Sequence, residues 1–219
     1  GFPNWSMVCM TEPDYVHEYH RIVTEATVES IRRLLPRIRG SVDILMMTSA
    51  DHGLQNQPIL PPELFRELYV PYYRRINETI HEIAPEVKSF MHCCGAVYDL
   101  IQDFASSGFD VLNPVQWPAG GHHYTEWKNA ARHRITLWGG GVNTQATLPL
   151  GTVAEVEAQA FEVTRSLAED SGYVFCPIHN ILADIPGEKV VAAYRAAANR
   201  TREYYLLNDG WRSHRGDIR

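Results

Sequence analysis

Across 219 residues the chain is 45% hydrophobic and 21% charged, with a formal net charge of -6 and a sequence pI near 5.9. That acidic balance, broken only by Arg212-Ser213-His214-Arg215 near the C-terminus, argues against a nucleic-acid partner, and no apolar run is long enough to span a bilayer. No signal-peptide pattern opens the chain, and its four cysteines, Cys9, Cys93, Cys94 and Cys176, lack the spacing of a disulfide framework, so a reducing cytoplasm is the expected setting.

In chain order, Thr11-Glu12-Pro13-Asp14 reads as a helix start with Thr11 as the cap. Tyr15, Tyr19, Ile22, Ala26, Ile31, Leu34 and Leu35 carry an approximately helical stripe that Pro36 and Gly40 should end. Val42-Asp43-Ile44-Leu45-Met46-Met47 is an apolar run but for Asp43, and reads as a strand buried on both faces. A polar loop follows, Thr48 to Gln57, and Pro61-Pro62-Glu63 opens a helix with Leu64, Leu68, Tyr72, Ile76 and Ile80 at four-residue steps. The alternation then repeats: strands near 88–92, 110–113, 135–138 and 173–176, separated by helices near 97–106, 124–132 and 152–168 and followed by one near 187–206. Thr152 and Glu155 form a capping box. The whole reads as one α/β domain over 1–219, with 207–219 as a C-terminal tail.

Five strands alternating with helices make a parallel sheet, and each strand empties into a polar or Gly-rich loop. Both a TIM (β/α)8-type barrel and an open doubly wound sheet fit that pattern. With five strands where a barrel has eight, the chain is expected to hold the C-terminal five βα units, to lack roughly three upstream ones, and to leave an edge at the first strand that an oligomer or a further segment covers.

Chemistry concentrates at Ser89-Phe90-Met91-His92-Cys93-Cys94-Gly95. Strand side chains alternate, so His92 and Cys94 share a face and Cys93 turns toward the helices, where it is simply core. An imidazole and a thiolate side by side are two ligands for zinc. The third is His179 or Cys176, both at the end of the last strand; His179 also suits a general acid or a substrate hydrogen bonder. Asp51, Gln55 and Asn56 end the first strand, and Asn113, Gln116, Asn143 and Gln145 repeat the theme after two others. Uncharged amides converging from several strand ends suit a neutral or multi-acceptor ligand. Gly139-Gly140-Gly141 lacks the dinucleotide-binding spacing. His122-His123, Tyr204, Tyr205 and Trp211 read as surface or oligomer packing.

Five blocks occur in order: Asp51-His52-Gly53-Leu54-Gln55-Asn56, Phe90 to Tyr98, Leu112-Asn113-Pro114-Val115-Gln116, Trp138 to Gln145, and Val174 to Ile181. Together they resemble the C-terminal part of the uroporphyrinogen decarboxylase superfamily, closest to its corrinoid-dependent methyltransferase and O-demethylase-like branch. The resemblance implies a TIM barrel with its site at the strand C-termini, and an enzyme moving a methyl group between a small substrate and a corrinoid or thiol acceptor. It implies zinc on His92 and Cys94, and methylcobalamin on a partner corrinoid protein. His179 stands where the zinc methyltransferases carry their later Cys, with Cys176 three residues earlier. It further implies His179 and Asp51 as catalytic groups and a substrate site drawn from Gln55, Asn56, Tyr98, Asn113, Gln116, Trp138, Asn143 and Gln145. The alternatives are metal-free decarboxylation of a porphyrinogen-like acid and a non-catalytic barrel used for binding or assembly.

Overall fold

In the computed structural model, residues 1–48 and 50–207 are described, and the side chains of Phe2 and of 200–207 are not. The tail expected from 207 on, with Trp211, and the side chains of Tyr204 and Tyr205 lie outside what is described. The strands are β1 (Ile44–Thr48), β2 (Lys88–His92), β3 (Val111–Asn113), β4 (Thr136–Trp138) and β5 (Tyr173–Val174). They form one sheet in the order β1-β2-β3-β4-β5, and every neighbouring pair is parallel. The helices are α1 (Phe2–Thr11), α2 (Pro13–Ile38), α3 (Pro62–Leu68), α4 (Val70–Ile83), α5 (Ile101–Ser106), α6 (Tyr124–Ala131), α7 (Thr147–Leu150), α8 (Val153–Leu167) and α9 (Gly187–Leu207); α3 to α8 carry the crossovers, α1 and α2 precede β1, and α9 follows β5. Among the described residues no helix is long and apolar enough to cross a membrane.

Several boundaries differ from the sequence reading, each for a local reason. Thr11 ends α1 and bonds back to Met7 O; Glu12 caps α2 without a side-chain hydrogen bond. Pro36 sits inside the last turn of α2, which continues to Ile38, because a proline that late forfeits only one ladder bond. The single helix expected after Pro61 is two, broken at Tyr69 (φ -119°, ψ -42°). Pro71 has no N–H to give the preceding turn, so the ladder of α3 does not run on and a new one starts at Val70, with the proline in its first turn, where an N–H is not needed. The last strand stops at Val174, leaving Cys176 in the loop beyond it. The Thr152–Glu155 capping box forms as the spacing predicts, and His123 makes a second one at the start of α6.

The core lies between the sheet and the helices on one face. Met91, Leu112 and Leu137 point that way and pack with Val97, Phe104, Trp127 and Val163, and Ser89, buried beside Met91, bonds Asn77 of α4. The alternate residues of β2, Lys88, Phe90 and His92, are exposed or half-buried on the opposite face. β1 is not covered on both faces: Met46 is 61% exposed and Ile44 37%. It is an edge strand whose second face meets no further element among the described residues, so its apolar run is half used there.

This asymmetry is testable by urea denaturation. Met91→Ala should cost about 2–5 kcal/mol, the range for truncating a buried long side chain, while Met46→Ala should stay within about 0.5 kcal/mol, as exposed positions do. Equal losses at the two positions would mean that the second face is covered in solution.

Candidate functional site

β2 ends by delivering three consecutive residues to two sides of the sheet. His92 and Cys94 face the mouth and Cys93 faces the helices, where it is fully buried. Cys94 Sγ lies 3.4 Å from His92 Nε2. The imidazole is held from behind: His92 Nδ1 is 2.7 Å from Asn113 Oδ1, and Asn113 Nδ2 donates to Trp138 O at 2.9 Å. That second bond turns the amide so that its oxygen meets the ring. Nδ1 therefore carries the ring proton, and Nε2 keeps a free lone pair toward Cys94. A carboxamide or carboxylate behind a histidine is the usual device for orienting a metal ligand.

The third group comes from β1. The loop after that strand passes over the end of β2, and Asp51 Oδ1 accepts the Cys94 N–H at 2.8 Å. One ligating atom each of Asp51, His92 and Cys94 lie within 4.8 Å of one another. Among the described residues neither His179 nor Cys176 joins that group. The reason is sheet order: β1 is the immediate neighbour of β2, whereas β5 stands three places away. Cys176 points instead to Pro177 O, at 3.3 Å. The donor set, one oxygen, one nitrogen and one sulfur with open space beside them, is of the kind that holds a borderline ion such as zinc and leaves a position free. Burial first, and the nearby Asp51 charge second, push the Cys94 thiol up to about 11, so without a cation the sulfur holds its proton and donates it to His92 Nε2.

A cavity of about 390 Å³ opens beside this cluster, lined by Gln55, Cys94, Gln116, Thr144, His179 and Asn180 among others. Gln116 is buried, and its Oε1 accepts the Gly95 N–H at 2.8 Å, which leaves its NH2 end for another acceptor. Gln145 also lines the cavity. Thr144, which the sequence reading did not single out, contributes a buried hydroxyl with no protein partner. Its signal in the sequence is only its place between Asn143 and Gln145.

Other expected site residues make contacts of their own. Asn143 Oδ1 accepts hydrogen bonds from the N–H groups of Gln145 and Ala146, closing the turn before α7. Tyr98 stacks on His122 with ring centroids 3.8 Å apart. Trp138 packs edge-on against Phe90 and supplies the carbonyl that orients Asn113. Asn56, Tyr98, Asn113, Trp138 and Asn143 are not among the cavity's lining residues. His52, beside Asp51, is buried in an aromatic pit of Phe65, Tyr69, Tyr73 and Phe104, its Nε2 2.8 Å from Tyr73 Oη.

The family model described as uroporphyrinogen decarboxylase (URO-D) matches residues 1–200. Among solved structures, a methyltransferase from Methanosarcina mazei superposes with a TM-score of 0.65 at 21% identity, covering 93% of this chain and 53% of that one. The chain thus spans about half the length of that protein. The likeness is one of fold, and it makes the five parallel βα units those of a TIM (β/α)8-type barrel. Comparison with curated proteins gives no match.

Burial lowers the His52 pKa from 6.5 to about 4. The folded chain keeps this ring neutral where the unfolded chain protonates it. The resulting stability is complete above pH 6.5 and is lost as pH falls toward about 4, by on the order of 3 kcal/mol. Urea midpoints measured across that window should show the slope, and His52→Gln should flatten it; an unchanged slope in the variant would assign the acid sensitivity to other groups.

Proposed function

Since the chain belongs to the uroporphyrinogen decarboxylase family, we propose that it carries the metal-binding part of a methyltransferase site, in which a methyl group passes between a small molecule and a corrinoid on a partner protein, or a thiol. The observation that carries this reading is the convergence of Asp51, His92 and Cys94 within 4.8 Å, with Nε2 of His92 kept free of its proton by Asn113. The methyltransferase from Methanosarcina mazei that shares the fold supports the same direction.

In this reading Asp51, His92 and Cys94 hold zinc. Bound there, zinc supplies Lewis-acid polarisation of a thiol or oxygen ligand and lowers its pKa. Cys94 must bind as the thiolate, so the proton it donates to His92 Nε2 is the one displaced. Asn113 keeps the imidazole at the angle the cluster needs. The free amide end of Gln116 faces a ligand in the cavity, with Thr144 in the wall beside it. Gln55, Gln145 and Asn180 add neutral donors and acceptors around it, and His179 at the wall serves as a hydrogen bonder or proton donor. The same position of His179 favours the second reading, metal-free decarboxylation of a porphyrinogen-like acid.

Zinc content and methyl transfer should fall together in Cys94→Ser, with the circular dichroism spectrum unchanged, because the site is a loop-lined mouth and not the core. Asp51→Asn should weaken zinc binding, whereas Cys176→Ser should leave zinc near the wild-type level. A Cys94→Ser protein that stays fully active without stoichiometric zinc would discard the metal reading in favour of the second one.

A further inference from the structure

Asp51 is exposed and sits on the loop that follows an edge strand, yet its carboxylate must reach a cluster only a few ångströms across. An aspartate side chain is short, so the position of its backbone decides whether it arrives. Three features fix that backbone, and none of them touches the cluster directly. The His52 N–H donates to Cys93 Sγ at 3.1 Å, tying the loop to the residue between the two β2 ligands. The His52 ring is rooted in the aromatic pit and paired with Tyr73 Oη at 2.8 Å, while its carbonyl accepts the Ile59 N–H at 2.7 Å. Gly53 lies flush on Gly95: a Cβ on Gly53 would stand 2.6 Å from Ala96 N, and one on Gly95, at φ +91°, would stand 2.5 Å from Gly53 C. The Ala96 N–H to Leu54 O bond, 2.8 Å, closes the seam.

We infer that His52 and Cys93 are positioning residues that hold Asp51 at the mouth cluster, so that the adjacent cysteines divide the labour: Cys94 presents its sulfur to the mouth, and Cys93 uses its own to anchor the loop that brings the third donor. The inference rests on the metal reading above and concerns only how this chain presents Asp51 to that ion. His52 is enclosed on every side by the same pit that anchors it, and Cys93 is fully buried, so neither binds the ion itself.

The test is a double-mutant cycle on the 219-residue chain, read as Zn2+ affinity by competition with a chromophoric chelator and as the absorption spectrum of the Co2+-loaded protein. His52→Ala should weaken Zn2+ binding about 10- to 100-fold, the usual effect of removing an outer-shell partner, and should alter the Co2+ bands. Cys93→Ala should act in the same direction. In an Asp51→Ala background the His52→Ala change should cost nothing further, because its effect runs through Asp51. His52→Gln, whose amide nitrogen reaches the place of Nε2, should recover most of the affinity. Tyr73→Phe, which removes one hydroxyl, gives the same reading should His52→Ala fail to fold. Val163→Ala, a truncation in the remote core, should lower the melting temperature without changing the Co2+ spectrum. Wild-type affinity and spectrum in His52→Ala and Cys93→Ala, or full additivity with Asp51→Ala, overturns the inference while the metal reading stands. A wild-type chain that binds neither ion overturns both.

Discussion

The two-residue period at the end of β2 is the constraint on which the rest of the site depends. A strand turns successive side chains to opposite faces, and here the turn falls across His92, Cys93 and Cys94, at the boundary between the hydrophobic core and the open mouth. A slip of one residue would send Cys93 to the mouth and bury His92 among Phe104, Trp127 and Val97, a place with no partner for an imidazole. The register is held by β3, whose Asn113 sits opposite His92 and bonds its ring.

Polar groups at this end of the sheet are linked so that each fixes the next. Trp138 O orients the Asn113 amide, Asn113 sets the His92 tautomer, and His92 Nε2 receives the Cys94 thiol. The relay crosses from β4 through β3 to β2 in two bonds, one residue per strand, and a third bond passes from His92 to Cys94 just beyond β2. From the other side, the loop after β1 closes on Cys94 through Asp51 and on Cys93 through His52. The thiol is kept protonated by burial and by the adjacent carboxylate, and these are the surroundings in which a cation would gain most by replacing that proton.

Cluster and cavity adjoin at Cys94, which belongs to both. The cluster draws its groups from the ends of β1 and β2, and the cavity beside it takes its walls from the loops after all five strands. Gln116 touches both: its oxygen accepts the Gly95 N–H just beyond β2, and its side chain lines the cavity.

Much of this was legible in the residues alone. The apolar runs and their polar stops fixed five parallel strands to within one or two residues, the Thr152–Glu155 spacing fixed a helix start, and strand alternation put His92 and Cys94 together with Cys93 behind them. Those features are local, and local sterics and periodicity decide them. The third member of the cluster was not local. The reading from residues expected His179 or Cys176 beside His92 and Cys94; among the described residues it is Asp51 that lies within 4.8 Å of them, because adjacency in the sheet rather than residue type decides which loop meets Cys94. The same holds for Asn143, whose amide is consumed by a turn, and for Met46, whose exposure depends on what lies across the sheet. Sequence by itself determined which side chains could do chemistry and which way each strand turns them; only the tertiary structure decided which of them meet, since that depends on strand order, loop closure and the glycine contact that lets two backbones touch.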